Sequence, residues 1–226
     1  MVVEFFKRRA VVGHRGYPRL ELENTLDSIT AALRHGAEVV EVDVQTTADG
    51  VVVLSHDETL ERTFGVAVDV RRSTWSEVKK IQRGKYRVAT LKEALETIGG
   101  RAGVFIEVKN PLDVDTVLEV IKEVGAERWA AVISFHDAAL ERVEIYKGLI
   151  YAQPPGRVAD AKRLGCHFVL PHFRLVTARS IAFTHRLGLY VVAWTVNQPE
   201  KARELWSLGV DGVATDDVEN IKKALR

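Results

Sequence analysis

The 226-residue sequence predicts an α/β chain folded as a (β/α)₈ barrel of the TIM type, with a small insertion after the second βα region. Three observations carry this expectation. Short apolar, β-branched runs alternate about eight times with longer segments of helical period, as in right-handed βαβ units. Most of the short runs are apolar throughout, as strands buried on both faces of a parallel sheet must be. The length suits one catalytic domain over residues 1–226, in the lower part of the ~200–400-residue range of such barrels. A doubly wound open sheet fits the same alternation.

Taken in order, strands are predicted over Arg9–Val12, Ala37–Val44, Gly50–Ser55, Val104–Lys109, Ala130–Ser134, Leu149–Ala152, His167–Leu170, Leu189–Val196 and Gly212–Thr215. Helices are predicted over Thr25–His35, Leu91–Ile98, Val114–Val124, Ala138–Tyr146, Val158–Leu164, Ala178–Leu187, Pro199–Leu208 and Val218–Leu225. Thr90 and Glu93 have capping-box spacing, which satisfies two orphan amides where a helix begins. Pro199 suits a first turn, where its missing N–H has no helical partner to lose. Gly125 and Gly209 follow helices at the position that takes a left-handed residue. Between His56 and Thr90 the rhythm breaks, and residues 57–89 read as an insertion containing a loop, a short hairpin arm and a small helix.

Composition narrows the class. Lys+Arg number 32 against Asp+Glu 31, a net charge of +1, which gives no basic surplus for a nucleic-acid partner. The single cysteine, Cys166, allows neither a disulfide framework nor a thiolate cluster. No run approaches the ~18 apolar residues of an integral membrane span. The opening Met1-Val2-Val3-Glu4-Phe5-Phe6-Lys7-Arg8-Arg9 places apolar before basic residues, the reverse of a secretory signal, so the expected location is cytoplasmic.

In a barrel, residues at the carboxyl ends of strands can converge. Those ends carry Gly13-His14-Arg15-Gly16, Glu41-Val42-Asp43, Ser55-His56-Asp57, Glu107-Val108-Lys109-Asn110, Ser134-Phe135-His136, Pro171-His172, Trp194-Thr195-Val196-Asn197 and Thr215-Asp216-Asp217. Glu41 and Asp43 are two apart on one strand and therefore share a side. With Glu107 they form a trio whose repulsion is relieved either by a hard divalent cation or by ion pairs with Arg15 and Lys109. His14 and His56 titrate near neutrality and suit acid–base work. Arg15 offers a planar fork and Lys109 a point charge, a combination that suits phosphate. Trp194 is either a substrate wall or a core aromatic.

These blocks, together with Glu23-Asn24-Thr25, Gln45, Asp49-Gly50 and Thr90-Leu91-Lys92-Glu93, resemble in content and order the glycerophosphodiester phosphodiesterase family across almost the whole chain. The resemblance implies metal-dependent hydrolysis of glycerophosphodiesters to an alcohol and glycerol 3-phosphate. It implies one divalent metal ion, Mg²⁺ or Ca²⁺, on Glu41, Asp43 and Glu107. It implies His14 and His56 as the acid–base pair, with Arg15 and Lys109 on the substrate phosphate and residues 57–89 as the family's small insertion. On the hypothesis that the glycerol 2-hydroxyl attacks phosphorus, His14 is assigned as first base and His56 as first acid. Two alternatives stand beside this reading: a lysophospholipase D using the same residues with an apolar groove from Phe5, Phe6, Trp75 or Phe135, and a non-catalytic barrel that binds without turnover.

Overall fold

The structure is a computed structural model describing residues 1–226. Its elements in chain order are β1 (Ala10–Gly13), α1 (Leu26–Arg34), β2 (Val39–Thr46), β3 (Val52–Leu54), α2 (Glu61–Phe64), α3 (Trp75–Val78), β4 (Gln82–Arg83), β5 (Tyr86–Arg87), α4 (Leu91–Ile98), β6 (Gly103–Val108), α5 (Val114–Val124), β7 (Ala130–Ser134), α6 (Asp137–Leu140), β8 (Tyr146–Tyr151), α7 (Val158–Arg163), β9 (Phe168–Pro171), α8 (Ala178–Arg186), β10 (Tyr190–Ala193), α9 (Pro199–Leu208), β11 (Gly212–Thr215) and α10 (Val218–Ala224). Strands β1, β2 and β6 to β11 form a closed parallel barrel, because β1 pairs with both β11 and β2. The expected barrel is therefore the observed fold, and the open sheet is not. No helix is long and apolar enough to cross a membrane.

Side-chain alternation divides the core in two. Val40, Val42 and Val44 of β2, like Val104, Ile106 and Val108 of β6, join the layer between strands and helices. The opposite phase points inward, and at the amino-terminal end Val39 and Phe105 meet Phe6 and Phe168. Phe6 stacks on Phe105 at 5.6 Å and lies 5.0 Å from Phe168, which is 5.0 Å from Phe105. Each such contact adds ~0.5–1.5 kcal/mol to the burial itself. This ring of phenyl groups closes the bottom of the barrel.

The helix signals act as expected. Thr90 and Glu93 form the reciprocal capping box of α4, and Pro199 occupies the first turn of α9. Two expectations are corrected. The run Gly50–Ser55 supplies no barrel strand: β3 folds back antiparallel on β2, because the five residues between them are too few for a crossover helix. The helix expected over Ala138–Tyr146 stops at Leu140, and β8 begins at Tyr146. Gly148 lies inside β8, where a Cβ would come 2.7 Å from the Leu170 side chain and 3.0 Å from Phe168 Cβ. Residues 57–89 hold α2, α3 and the β4–β5 hairpin around a small core of their own, Leu60, Phe64, Val70, Val78 and Val88 with Val53 of β3.

Candidate active site

Strand register assembles the carboxylate trio. Glu41 and Asp43 follow Val39 in the inward phase of β2, and Asp43 lies directly beside Glu107 of the neighbouring strand β6. Their oxygens fall within 4.8 Å of one another, and the residues are 4%, 0% and 8% exposed. Both predicted cations enter the group. Lys109 Nζ lies 2.7 Å from Asp43 Oδ1 and 2.6 Å from Glu107 Oε1, and Arg15 Nε lies 3.2 Å from Asp43 Oδ2.

Two positive groups do not balance three carboxylates. Burial and the Asp43 charge hold Glu41 well above the usual carboxylate range, and the same two causes raise Glu107. Burial works against ionisation of Asp43 too, but Lys109 and Arg15 outweigh it and keep Asp43 below its ordinary value. Glu41 Oε1 is buried with no hydrogen-bond partner. A buried oxygen left so is costly, and a hard cation with oxygen ligands would satisfy it while removing the surplus charge. The donor set therefore fits a divalent metal ion.

Each histidine is held by its own aspartate. Because Gly13 pairs with Thr215 where the barrel closes, the next residues on β1 and β11 meet: His14 Nδ1 and Asp216 Oδ1 are 2.7 Å apart. Asn197 Nδ2 in turn donates to Asp216 Oδ2 at 2.6 Å. His14 Nε2 faces Glu41 Oε2 at 4.0 Å. His56 Nδ1 lies 2.7 Å from Asp57 Oδ1. Carboxylates at both Nδ1 atoms fix the tautomer and leave Nε2 to the cavity. Burial opposes the charge on His14, yet the Asp216 hydrogen bond and Glu41 outweigh it and raise its pKa. At His56 burial prevails over Asp43 and Asp57, and its pKa is lowered.

The turn carrying His14 and Arg15 is tightly made. Arg15 takes a left-handed conformation with φ 55°, and its N–H donates to Glu41 Oε2 at 2.8 Å. Gly16 has φ +86°, and a Cβ there would lie 2.3 Å from Ser28 Oγ, the atom that accepts from Tyr17 N and donates to Arg15 O. Asn24 clamps Asp43, donating Nδ2 to Oδ2 at 2.9 Å and accepting the Asp43 N–H at 3.1 Å.

Below these groups lies a cavity of about 160 Å³, with Val12, Phe105, Ile133, Ile150, Leu170 and Ala214 as its apolar floor. His14, Arg15, Glu41, His56, Glu107, Lys109 and Trp194 all line it, so the structure gathers every predicted site residue except Asp43, which sits behind them. Trp194 Nε1 donates to Leu170 O at 2.6 Å, and Phe135 packs edge-on to its ring at 5.7 Å. Of the aromatics considered for an apolar groove, only Phe135 reaches the cavity; Phe5 and Phe6 pack at the barrel bottom, and Trp75 packs against the core of 57–89. The larger open cleft beside α1, about 370 Å³, has no buried titratable group. Glu23, Asn24, Asp57, Arg62, Asn197 and Asp216 received no role from the sequence. Adjacency to His56 was the available signal for Asp57, and a place at a strand end was the signal for Asp216.

The family model described as the glycerophosphoryl diester phosphodiesterase family matches residues 14–220. A glycerophosphodiester phosphodiesterase of Caldanaerobacter subterraneus subsp. tengcongensis is 30% identical, with 96% of this chain and 97% of the relative aligned. The crystal structure of a glycerophosphodiester phosphodiesterase from Thermotoga maritima is similar at 32% identity and a TM-score of 0.82, covering 96% of this chain and 97% of that one. A phosphodiesterase of Oleispira antarctica, solved in complex with the product sn-glycerol-3-phosphate, is 25% identical with a TM-score of 0.89 over 98% of both chains.

Proposed function

The chain belongs to the glycerophosphoryl diester phosphodiesterase family and hydrolyses glycerophosphodiesters to an alcohol and glycerol 3-phosphate, and we propose that it does so at the barrel mouth through the residues gathered there. The observation that carries this reading is the buried trio with its orphaned Glu41 oxygen, flanked by two aspartate-backed histidines and two cations. Residues 1–226 form one catalytic domain, with 57–89 as its insertion.

Glu41, Asp43 and Glu107 hold the divalent ion, Mg²⁺ or Ca²⁺, which when bound offsets their charge and acts as a Lewis acid toward a substrate oxygen. Arg15 Nη1 is engaged by Glu23, and its Nη2, without a protein partner, is left to reach a phosphate oxygen. Lys109, released from part of its pairing with the carboxylates, adds a second positive charge beside the phosphate.

One histidine takes the proton of the glycerol 2-hydroxyl as that oxygen attacks phosphorus, while the other gives a proton to the departing alcohol. Water then opens the cyclic phosphate with the roles exchanged. In this order His14 is the first base and His56 the first acid, each held in one tautomer by its aspartate. The cavity, about 160 Å³, is smaller than the ~300–1,000 Å³ of typical ligand sites. Its small apolar floor favours a glycerol carbon chain, with Trp194 as a wall, over a lyso-lipid.

The test is a product assay on glycerophosphocholine, glycerophosphoethanolamine, glycerophosphoinositol and a lyso-lipid, with metal removed by chelation and then restored. Glycerol 3-phosphate should form from the water-soluble diesters only when metal is present. His14→Ala and His56→Ala should stop turnover and leave the fold intact; near-wild-type activity in His56→Ala overturns the acid–base assignment. A substrate lacking the 2-hydroxyl should not turn over.

A further inference from the structure

One half-exposed side chain is tied to both sides of the mouth. Arg62, in α2, donates Nε to Asp57 Oδ2 at 2.6 Å. Its Nη1 donates to Glu23 Oε2 at 2.8 Å and its Nη2 to Glu23 Oε1 at 2.7 Å. Neither acceptor is idle. Asp57 holds His56 Nδ1 through its other oxygen, at 2.7 Å. Glu23 Oε1 also takes the Arg15 Nη1 hydrogen bond, at 2.8 Å. A continuous line of charge-assisted hydrogen bonds thus runs His56–Asp57–Arg62–Glu23–Arg15.

We propose that Arg62 is a positioning residue that sets His56 and Arg15 relative to one another, acting on the first through Asp57 and on the second through Glu23. This rests on the roles given above to His56 and Arg15. An isolated surface ion pair contributes little, since water screens it and two long side chains must be ordered. Arg62 differs because the planar guanidinium reaches two carboxylates at once in fixed directions, which a single ammonium cannot do. With Arg62 in place, Asp57 is held at both oxygens, so the imidazole keeps one orientation and one tautomer. Without it, Asp57 can rotate away from His56, and Glu23 loses the partner that fixes its plane toward Arg15. The residue also joins the segment 57–89 to the catalytic turn, since α2 lies in the former and Glu23 follows the latter.

The experiment compares kcat and KM for glycerophosphocholine in the metal-loaded enzyme for wild type, Arg62→Gln, Asp57→Asn and the double variant. Outer hydrogen-bond partners of a site typically cost 10–100-fold when removed, so each single change should lower kcat by about that factor. Arg62→Gln should also raise KM severalfold through the Glu23–Arg15 arm. The double variant should be no worse than about twofold below the weaker single variant, because both changes break one line. Losses that multiply in the double variant, or wild-type constants in Arg62→Gln, overturn the proposal. Arg62→Lys keeps the charge without the fork and should lose as much as Arg62→Gln; full activity there overturns it too. If Arg62→Gln fails to fold, Glu23→Gln breaks the same line from its other side and should raise KM while melting as wild type does; an unchanged KM then sinks the idea. His56→Ala separates the levels. If it stays active, the acid–base reading itself has failed, whereas an inactive His56→Ala beside a wild-type Arg62→Gln rejects only the role of Arg62.

Discussion

On β6, Phe105 and Glu107 point into the same barrel interior two residues apart, yet they belong to opposite regimes. At the level of Phe105 the space is filled ring to ring with Phe6 and Phe168. At the level of Glu107 three carboxylates crowd around two cations, and Glu41 Oε1 is buried with neither a hydrogen bond nor an ion pair. The lower end lowers the free energy of the fold by burying apolar rings. The upper end raises it by burying like charges, a cost tolerated where a bound cation can offset it. The contrast teaches that stability and chemistry here occupy separate levels of the same strands.

The largest expected effect comes from breaking the upper level. Glu41→Ala should cost about a thousandfold in turnover at low metal, about 4 kcal/mol in the barrier, and part should return when the metal concentration is raised. The ion-free variant should melt no lower than wild type, because like-charge repulsion is relieved. A clear fall in its melting temperature would mean that Glu41 is a structural group. Breaking the lower level should do the opposite. Phe168→Ala should cost about 3–5 kcal/mol of stability in denaturant titration while kcat and KM of the folded enzyme remain near wild type. Loss of activity without loss of stability would erase the separation between the two ends.

The pH dependence sharpens the same contrast with a smaller effect. In the ion-free protein Glu41, Glu107 and His14 hold protons more tightly folded than unfolded. The folded state then binds more protons, so stability should fall as pH rises from the ordinary carboxylate value of 4.5 through neutrality. His56, His167 and His172, with lowered pKa values, oppose this near their ordinary 6.5, but Glu41 and Glu107 keep their extra protons across the whole interval and outweigh them. Each net proton changes stability by about 1.4 kcal/mol per pH unit. Urea unfolding with chelator at pH 5.5 and 7.5 should show greater stability at the lower pH. Saturating Mg²⁺ or Ca²⁺ should flatten or reverse that slope, since the ligands must be ionised to bind. Greater ion-free stability at pH 7.5 would show that the trio is not strained.

Much of the site was legible because its residues sit where local periodicity puts them. Glu41 and Asp43 share a face by the two-residue repeat, and strand-end position singled out His14, His56, Glu107 and Lys109. The supporting residues were harder to see because their partners are remote. Asp216 reaches His14 only because β11 closes on β1, and Arg62 reaches Glu23 only because residues 57–89 fold back toward the catalytic turn.

The sequence by itself determined the alternation of strand and helix, the caps of α4 and α9, and the shared side of Glu41 and Asp43 on β2. All of these are set by residues within a few positions of one another. Only the tertiary structure decided that β3 turns back antiparallel, that Asp43 stands beside Glu107, that each histidine has its own aspartate, and that Arg62 spans the mouth. Those facts depend on inter-strand register and on closure of the sheet. Both are fixed by packing between segments far apart in the chain, and no local repeat encodes them.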